Sequence, residues 1–81
     1  MMRFEVGHSY YPYGSGYDPV TVERRTEKTI WVKNGNPDSV GNRWMMRIKH
    51  DSDGNEIAVD SAVPPKWRLE FTYSSKWPVE D

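Results

Sequence analysis

Apolar and polar residues alternate with a period of two through much of the chain, which predicts β-strands. The clearest case is residues 43–50, where Trp44, Met46, Ile48 and His50 alternate with basic residues and Met45. Shorter segments of the same kind predict further strands at residues 3–6, 20–26, 29–33, 56–59 and 66–73. No segment has a helical period, so we expect six short strands.

Turn-forming residues separate these strands. Gly7 ends the first, and a loop rich in Tyr, Gly, Ser and Pro follows over residues 8–19. Residues 27–28 form a hairpin tip, residues 34–42 a longer loop, and residues 51–54 a type I turn ending in Gly54. Pro64 and Pro65 interrupt the sheet because proline has no N–H to donate. We therefore expect one β domain over residues 1–73 and a C-terminal tail over residues 74–81, either docked through Trp77 or free.

The apolar composition supports an all-β fold. The chain has eight Val, three Ile, four Trp and five Tyr, but only one Leu and two Ala, the residues that lead the helix-propensity scale. We expect a five- or six-stranded antiparallel SH3-like barrel or a strongly bent sheet. The inward positions predict one core of Val22, Ile30, Val32, Trp44, Met46, Ile48, Trp67, Leu69 and Phe71, with Val20, Ile57 and Val59 also inward and His50 at the rim.

Several classes of protein are disfavoured. The 81 residues contain no cysteine, which excludes disulfides and thiol chemistry, and no apolar run approaches the ~18 residues of a membrane span. Residues 1–20 do not resemble a signal peptide. We therefore expect a cytoplasmic protein that does not associate with membranes.

The N-terminal half carries two recognisable patterns. Phe4, Val6, Gly7 and Tyr10 form an F-x-V-G-x-x-Y opening, and residues 25–30 read R-T-E-K-T-I. Over residues 3–33 the chain resembles short β-rich proteins of Firmicutes bacteria and their phages and mobile elements. The resemblance implies a small SH3-like barrel and a phage or mobile-element setting, but it supplies no assigned activity and no active-site residues.

Charge is unevenly distributed although the formal net charge is only −1. Residues 24–50 hold seven basic and two acidic residues. If this part is a three-stranded meander, its outward face carries basic residues around an exposed Trp, a pattern typical of single-stranded DNA or RNA binding. The candidate nucleic-acid residues are Arg25, Trp31, Lys33, Arg43, Arg47 and Lys49. The alternative is a solvated sheet face with no ligand.

The Tyr-rich loop predicts a second kind of surface. Tyr combined with Ser and Gly is typical of protein-recognition loops, because Tyr offers a large contact area with few rotamers to restrict. An equally weighted alternative is that these rings cap an open end of the barrel. The candidate protein-binding residues are Tyr10, Tyr11, Tyr13, Tyr17, Trp31 and Trp77.

Other candidate chemistry is weak. The acidic residues at 51–56 lack the spacing of a calcium-binding loop, and neither His8 nor His50 accompanies a nucleophile motif. We expect no catalytic residues, no metal and no cofactor. The sequence favours a non-enzymatic module that binds an unidentified protein, and in a phage setting a modulator of a host machine; single-stranded nucleic-acid binding is the alternative.

Overall fold

The computed structural model describes residues 1–14, 16–36 and 42–79, and its regular elements are β-strands with one short 3-10 turn. Its elements are β1 (Ser9–Pro12), β2 (Val20–Arg25), β3 (Thr29–Asn34), β4 (Arg43–His50), β5 (Glu56–Val59), a 3-10 turn (Pro65–Trp67) and β6 (Thr72–Pro78). Within the described residues no helix is long and apolar enough to cross a membrane.

The six strands close into a barrel in sequence order, with β6 returning to pair with β1. Every neighbouring pair is antiparallel. Closure leaves no unpaired sheet edge, which removes the template for strand-to-strand aggregation. The predicted all-β antiparallel barrel is confirmed.

The central strands follow the sequence pattern closely. β2, β3, β4 and β5 lie within one residue of their predicted bounds, and the turn at residues 51–54 ends with Gly54 at a φ of 81°. That left-handed conformation favours glycine because a Cβ would clash with the backbone there. The hydrophobic alternation therefore fixes the middle of the barrel.

The predicted first strand at residues 3–6 is wrong. This segment pairs with no strand, and β1 lies within the region expected to be a loop. Side chains satisfy its backbone instead: the Phe4 N–H donates to Glu56 (2.7 Å) and the Glu5 N–H donates to the Tyr10 hydroxyl (2.8 Å). The segment thus inserts Phe4 into the barrel instead of adding a strand.

The predicted strand at residues 66–73 is also wrong. Pro64 and Pro65 begin a 3-10 turn, and the Phe71 N–H donates to the Trp67 carbonyl, so the chain is coiled where alternation predicted extension. Trp67 and Leu69 are consequently exposed, Leu69 by 69%, and do not belong to the core. The domain boundary expected at residue 73 falls inside β6, which is built largely from the predicted tail.

The inward positions of β5 are opposite to those predicted. In the observed register Ala58 pairs with Ile48, and Glu56 pairs with His50. Glu56 and Ala58 are buried, whereas Ile57 and Val59 are only partly buried. His50, expected as an inward plug at the rim, is exposed. The observed core comprises Phe4, Tyr10, Val20, Val22, Ile30, Val32, Met46, Ala58 and Tyr73, with Trp44 and Ile48 packed against it.

The two ends of the barrel differ in structure. At the plugged end, Phe4 lies beside an ion pair between Arg25 and Glu56. At the opposite end, where β2 begins and β3 ends, a cavity of about 280 Å³ remains. We call this cavity the mouth; it is lined by Tyr17, Asp18, Asn34, Trp44, Asp60, Val63, Phe71 and Tyr73.

Candidate functional site

The residues expected to bind a protein are not all available at the surface. Tyr10 is 3% exposed, packs edge to face against Phe4 at 4.9 Å, and accepts a hydrogen bond from the Glu5 N–H. Burial raises its pKa. Tyr10 is therefore a core residue, and its side chain is not available at the surface for the protein binding predicted for it.

Three other rings lie on or beside the paired strands β1 and β6, and two of them are in contact. Tyr11 is 45% exposed and Trp77 is 41% exposed, and β1 pairs with β6 on either side of Tyr11. Tyr13 packs against the Trp77 ring at 4.8 Å with the planes at 64°. We call this surface, formed by Tyr11, Tyr13 and Trp77, the aromatic face.

The backbone after Tyr13 is tied to the segment before β6. The Tyr13 N–H donates to Thr72 and the Gly14 N–H donates to Glu70, both at 2.8 Å. A Cβ at Gly14 would lie 2.7 Å from the Tyr17 ring, so only glycine fits this approach. The aromatic face is therefore held by strand pairing and by two hydrogen bonds in the adjoining loop.

Tyr17 belongs to the mouth and not to the aromatic face. Its ring packs against Phe71 at 4.5 Å, and its hydroxyl donates to Glu70 at 3.3 Å. The negative charge of Glu70 raises the pKa of the Tyr17 hydroxyl. Tyr17 thus lines the end of the barrel, while Tyr11 and Tyr13 lie on its side.

Trp31 does not lie on the aromatic face. It points outward from β3, and β3 and β6 are three strands apart in either direction around the six-stranded barrel. The expected surface therefore divides into two separate areas, one around Trp77 and one around Trp31.

The area around Trp31 is a groove of about 530 Å³ between β2, β3 and β4. The guanidinium of Arg24 lies 4.0 Å from the centre of the Trp31 ring, and Met45 is paired across from Trp31. Arg43 Nε donates to Glu23 Oε1 at 2.9 Å. The groove already contains a cation–π contact and an ion pair before any ligand binds.

Arg25 does not lie on this outward face, as the sequence alternation had suggested. A bulge between Val22 and Arg24 shifts the register, so that Arg24 opposes Trp31 and Arg25 opposes the buried Ile30. The bulge turns Arg25 inward, where its side chain meets Glu56. The other predicted cations, Lys33, Arg43, Arg47 and Lys49, are exposed along β3 and β4.

Sequence reasoning allowed for Tyr rings at an open end of the barrel, where Tyr17 lies, but it missed the other residues of the mouth. Trp44, Phe71 and Tyr73 were assigned to the core or to a strand, and Asp18 and Asp60 had no assignment. A signal was available, because both aspartates flank predicted strands and strand ends meet at the ends of a barrel. Because the last strand was expected at residues 66–73 and lies at Thr72–Pro78, the position of Phe71 at the mouth was not predicted.

The acidic turn at residues 51–56 has a structural explanation. Asp51 Oδ1 accepts hydrogen bonds from the N–H groups of Asp53 and Asn55, each at 2.9 Å. Partial desolvation raises the pKa of Asp51, but these hydrogen bonds outweigh it and the net pKa lies below the ordinary value. Among the described residues, no three or more His, Cys, Asp or Glu side chains lie close enough together to hold a metal ion.

Comparison with known proteins adds no relative: no protein-family model matches the chain, and no curated protein or solved structure is detectably similar to it.

Proposed function

We propose that the chain is a non-enzymatic module that binds another protein through the aromatic face. The observation that carries the proposal is the exposure of Tyr11 and Trp77 on two paired strands, with Tyr13 packed against Trp77. Aromatic residues are enriched at the centres of protein interfaces, and Trp and Tyr, with Arg, are enriched among the residues whose truncation weakens binding most.

The rigidity of the aromatic face supports the same proposal. Binding costs about 0.5–1.5 kcal/mol for each flexible side chain that is immobilised. The edge-to-face contact between Tyr13 and Trp77 restricts both rings before binding. Tyr11 and Trp77 are carried by strands, so their backbones also need little ordering.

The setting of this binding is part of the proposal. The resemblance of residues 3–33 to phage and mobile-element proteins suggests that the partner is a component of a host machine. Residues 3–33 include Tyr11 and Tyr13, two of the three residues of the aromatic face.

A capture experiment with matched variants tests the proposal. The full chain, immobilised and exposed to extract from its native cells, is expected to retain a protein that the Trp77→Ala variant loses. Trp67→Ala is the control, because Trp67 is exposed to a similar degree but lies on the 3-10 turn. Equal retention by both variants would contradict the proposal.

Single-stranded nucleic-acid binding is a second candidate, and the exposed cations of β3 and β4 favour it. Lys33, Arg47 and Lys49 are exposed on the same two strands as Trp31 and Met45, although outside the groove itself, and they form no ion pair with the described residues. Arg24 already covers one face of Trp31, so a base stacking there must displace it. Affinity for an oligonucleotide that falls steeply with salt and weakens in Arg47→Ala would favour this candidate.

A further inference from the structure

The mouth combines aromatic rings with carboxylates at one end of the barrel. Tyr73 and Trp44 extend from the interior, and Tyr17 and Phe71 pack against each other at the rim. Asp18 and Asp60 line the same cavity, and no basic side chain among the described residues does. This end of the molecule is therefore acidic and aromatic together.

The two carboxylates form no ion pair within the described residues, and Arg68 donates to the Ser61 and Val63 carbonyls near Asp60. Asp60 Oδ1 accepts one hydrogen bond, from the Ala62 N–H at 2.9 Å. Burial, with a smaller contribution from the charges of Asp60 and Asp18, raises the pKa of the Tyr73 hydroxyl to about 12. The field of both carboxylates thus reaches the floor of the mouth.

Such a cavity attracts organic cations. The faces of aromatic rings carry negative charge that attracts ammonium and guanidinium groups, and carboxylates accept charge-assisted hydrogen bonds from the same groups. Pockets for drug-sized ligands enclose about 300–1,000 Å³. At about 280 Å³, the mouth suits one side chain better than a larger molecule.

The mouth is continuous with the aromatic face. Phe71, which packs on Tyr17, directly precedes Thr72, and the Thr72 carbonyl accepts the Tyr13 N–H. The two areas are therefore joined through the segment between Phe71 and Tyr13.

We propose that the mouth receives a basic side chain, arginine or lysine, from the protein partner. That this side chain belongs to a protein rests on the proposed function. The preference for a cationic side chain rests on Asp18, Asp60 and the four rings of the mouth.

A titration of the full chain with short peptides tests this inference. The probes are capped glycine peptides with one central arginine or lysine, and the neutral controls replace these with citrulline or acetyl-lysine. Binding is followed by NMR at the Trp44 indole N–H, which is buried and has no acceptor among the described residues, and at the backbone amides of Tyr17 and Val63, because Trp44 also borders the Trp31 groove. We expect saturable shifts at Trp44 with at least one cationic peptide, and about tenfold weaker binding of its neutral counterpart.

Charge-neutralising variants provide the second arm. Asp18→Asn combined with Asp60→Asn is expected to lower the affinity for the cationic peptide by about tenfold. Asp53→Asn combined with Glu27→Gln, which removes two exposed carboxylates outside the mouth, is the control for overall charge and should leave binding unchanged. Equal affinity for cationic and neutral peptides, or shifts that survive the double variant, would overturn the inference.

The two proposals fail in different ways. Trp77→Ala should abolish capture of the partner without changing peptide binding at the mouth. If cationic and neutral peptides bound equally while the partner was still captured, only the proposal of a basic side chain in the mouth would be refuted. Peptide discrimination with capture unaffected by Trp77→Ala would refute only the aromatic face.

Discussion

Arg25 and Glu56 form a two-pronged ion pair inside the plugged end of the barrel, with Nη1–Oε1 at 2.6 Å and Nη2–Oε2 at 2.8 Å. The same two side chains hold the backbone of Phe4, whose N–H donates to Glu56 and whose carbonyl accepts from Arg25, both at 2.7 Å. The pair therefore fixes an unpaired N-terminal segment across the barrel and satisfies its buried polar groups.

Removal of one partner of this pair should be costly. Arg25→Ala leaves the buried Glu56 carboxylate with only the more distant Arg3, at 3.8 Å, and breaking a buried pair in this way typically costs about 3–5 kcal/mol. Arg43→Ala is the control, because the Arg43–Glu23 pair is more exposed and such surface pairs contribute about 0–1 kcal/mol. Urea unfolding measures both; similar losses in the two variants would contradict the assigned role.

The same pair predicts a dependence of stability on acid pH. Burial raises the pKa of Glu56, but the hydrogen bonds from Arg25 and the Phe4 N–H, with the charges of Arg25 and Arg3, outweigh this and lower the net pKa. A carboxyl with a lowered folded-state pKa stabilises the protein above its unfolded pKa of about 4.3, and this stabilisation is lost as pH falls through the folded value. Unfolding free energies of the native chain should fall across that range, and Glu56→Gln should fall less. An identical pH slope in both would refute the assignment.

The mouth predicts a dependence at alkaline pH. The pKa of Tyr73 is raised to about 12, first by burial and then by Asp60 and Asp18. Because the raised pKa belongs to the folded state, the stabilisation is complete below the unfolded pKa of about 10 and is lost as pH rises towards 12. Tyr73→Phe should reduce this loss. Asp18→Asn with Asp60→Asn should lower the pKa of Tyr73 in a spectrophotometric titration, and an unchanged pKa would show that the carboxylates do not act on it.

Phe4 and Leu69 provide a direct comparison of the structure with the sequence pattern. Phe4 is 2% exposed and Leu69 lies outside the core. Phe4→Ala should therefore cost about 3–5 kcal/mol, the usual range for a buried aromatic residue. Leu69→Ala should change stability by no more than about 0.5 kcal/mol, as is typical at the surface. A larger loss of stability in Leu69→Ala would show that Leu69 is buried, as the predicted strand at residues 66–73 requires, and would contradict the structure.

The sequence predicts the central barrel well because its strands have regular alternation and tight turns. Val22, Ile30, Val32 and Met46 are buried as expected, and the bounds of β4 are as predicted. The errors arise where another interaction overrides alternation. The bulge near Arg24 adds one residue to a strand, and the double proline at residues 64–65 replaces extension with a 3-10 turn.

The candidate site was harder to predict because it depends on distant parts of the chain. Tyr11 and Trp77 come together only because β6 pairs with β1, and nothing in the local sequence indicates that closure. The inward position of Glu56 likewise depends on Arg25, 31 residues away. The types of residue used for binding could be identified from sequence, but their grouping required the barrel register.

Site-specific photo-crosslinking at residue 11 tests the protein-binding claim most directly. A photoreactive amino acid replaces Tyr11 on the aromatic face or, as the matched control, Met45 across the barrel in the Trp31 groove, and the cells are irradiated. The account predicts a discrete protein adduct from residue 11 that disappears when Trp77→Ala is added, and no such adduct from residue 45. An adduct from residue 45 alone, an adduct with nucleic acid, or one from residue 11 that persists in Trp77→Ala would contradict it.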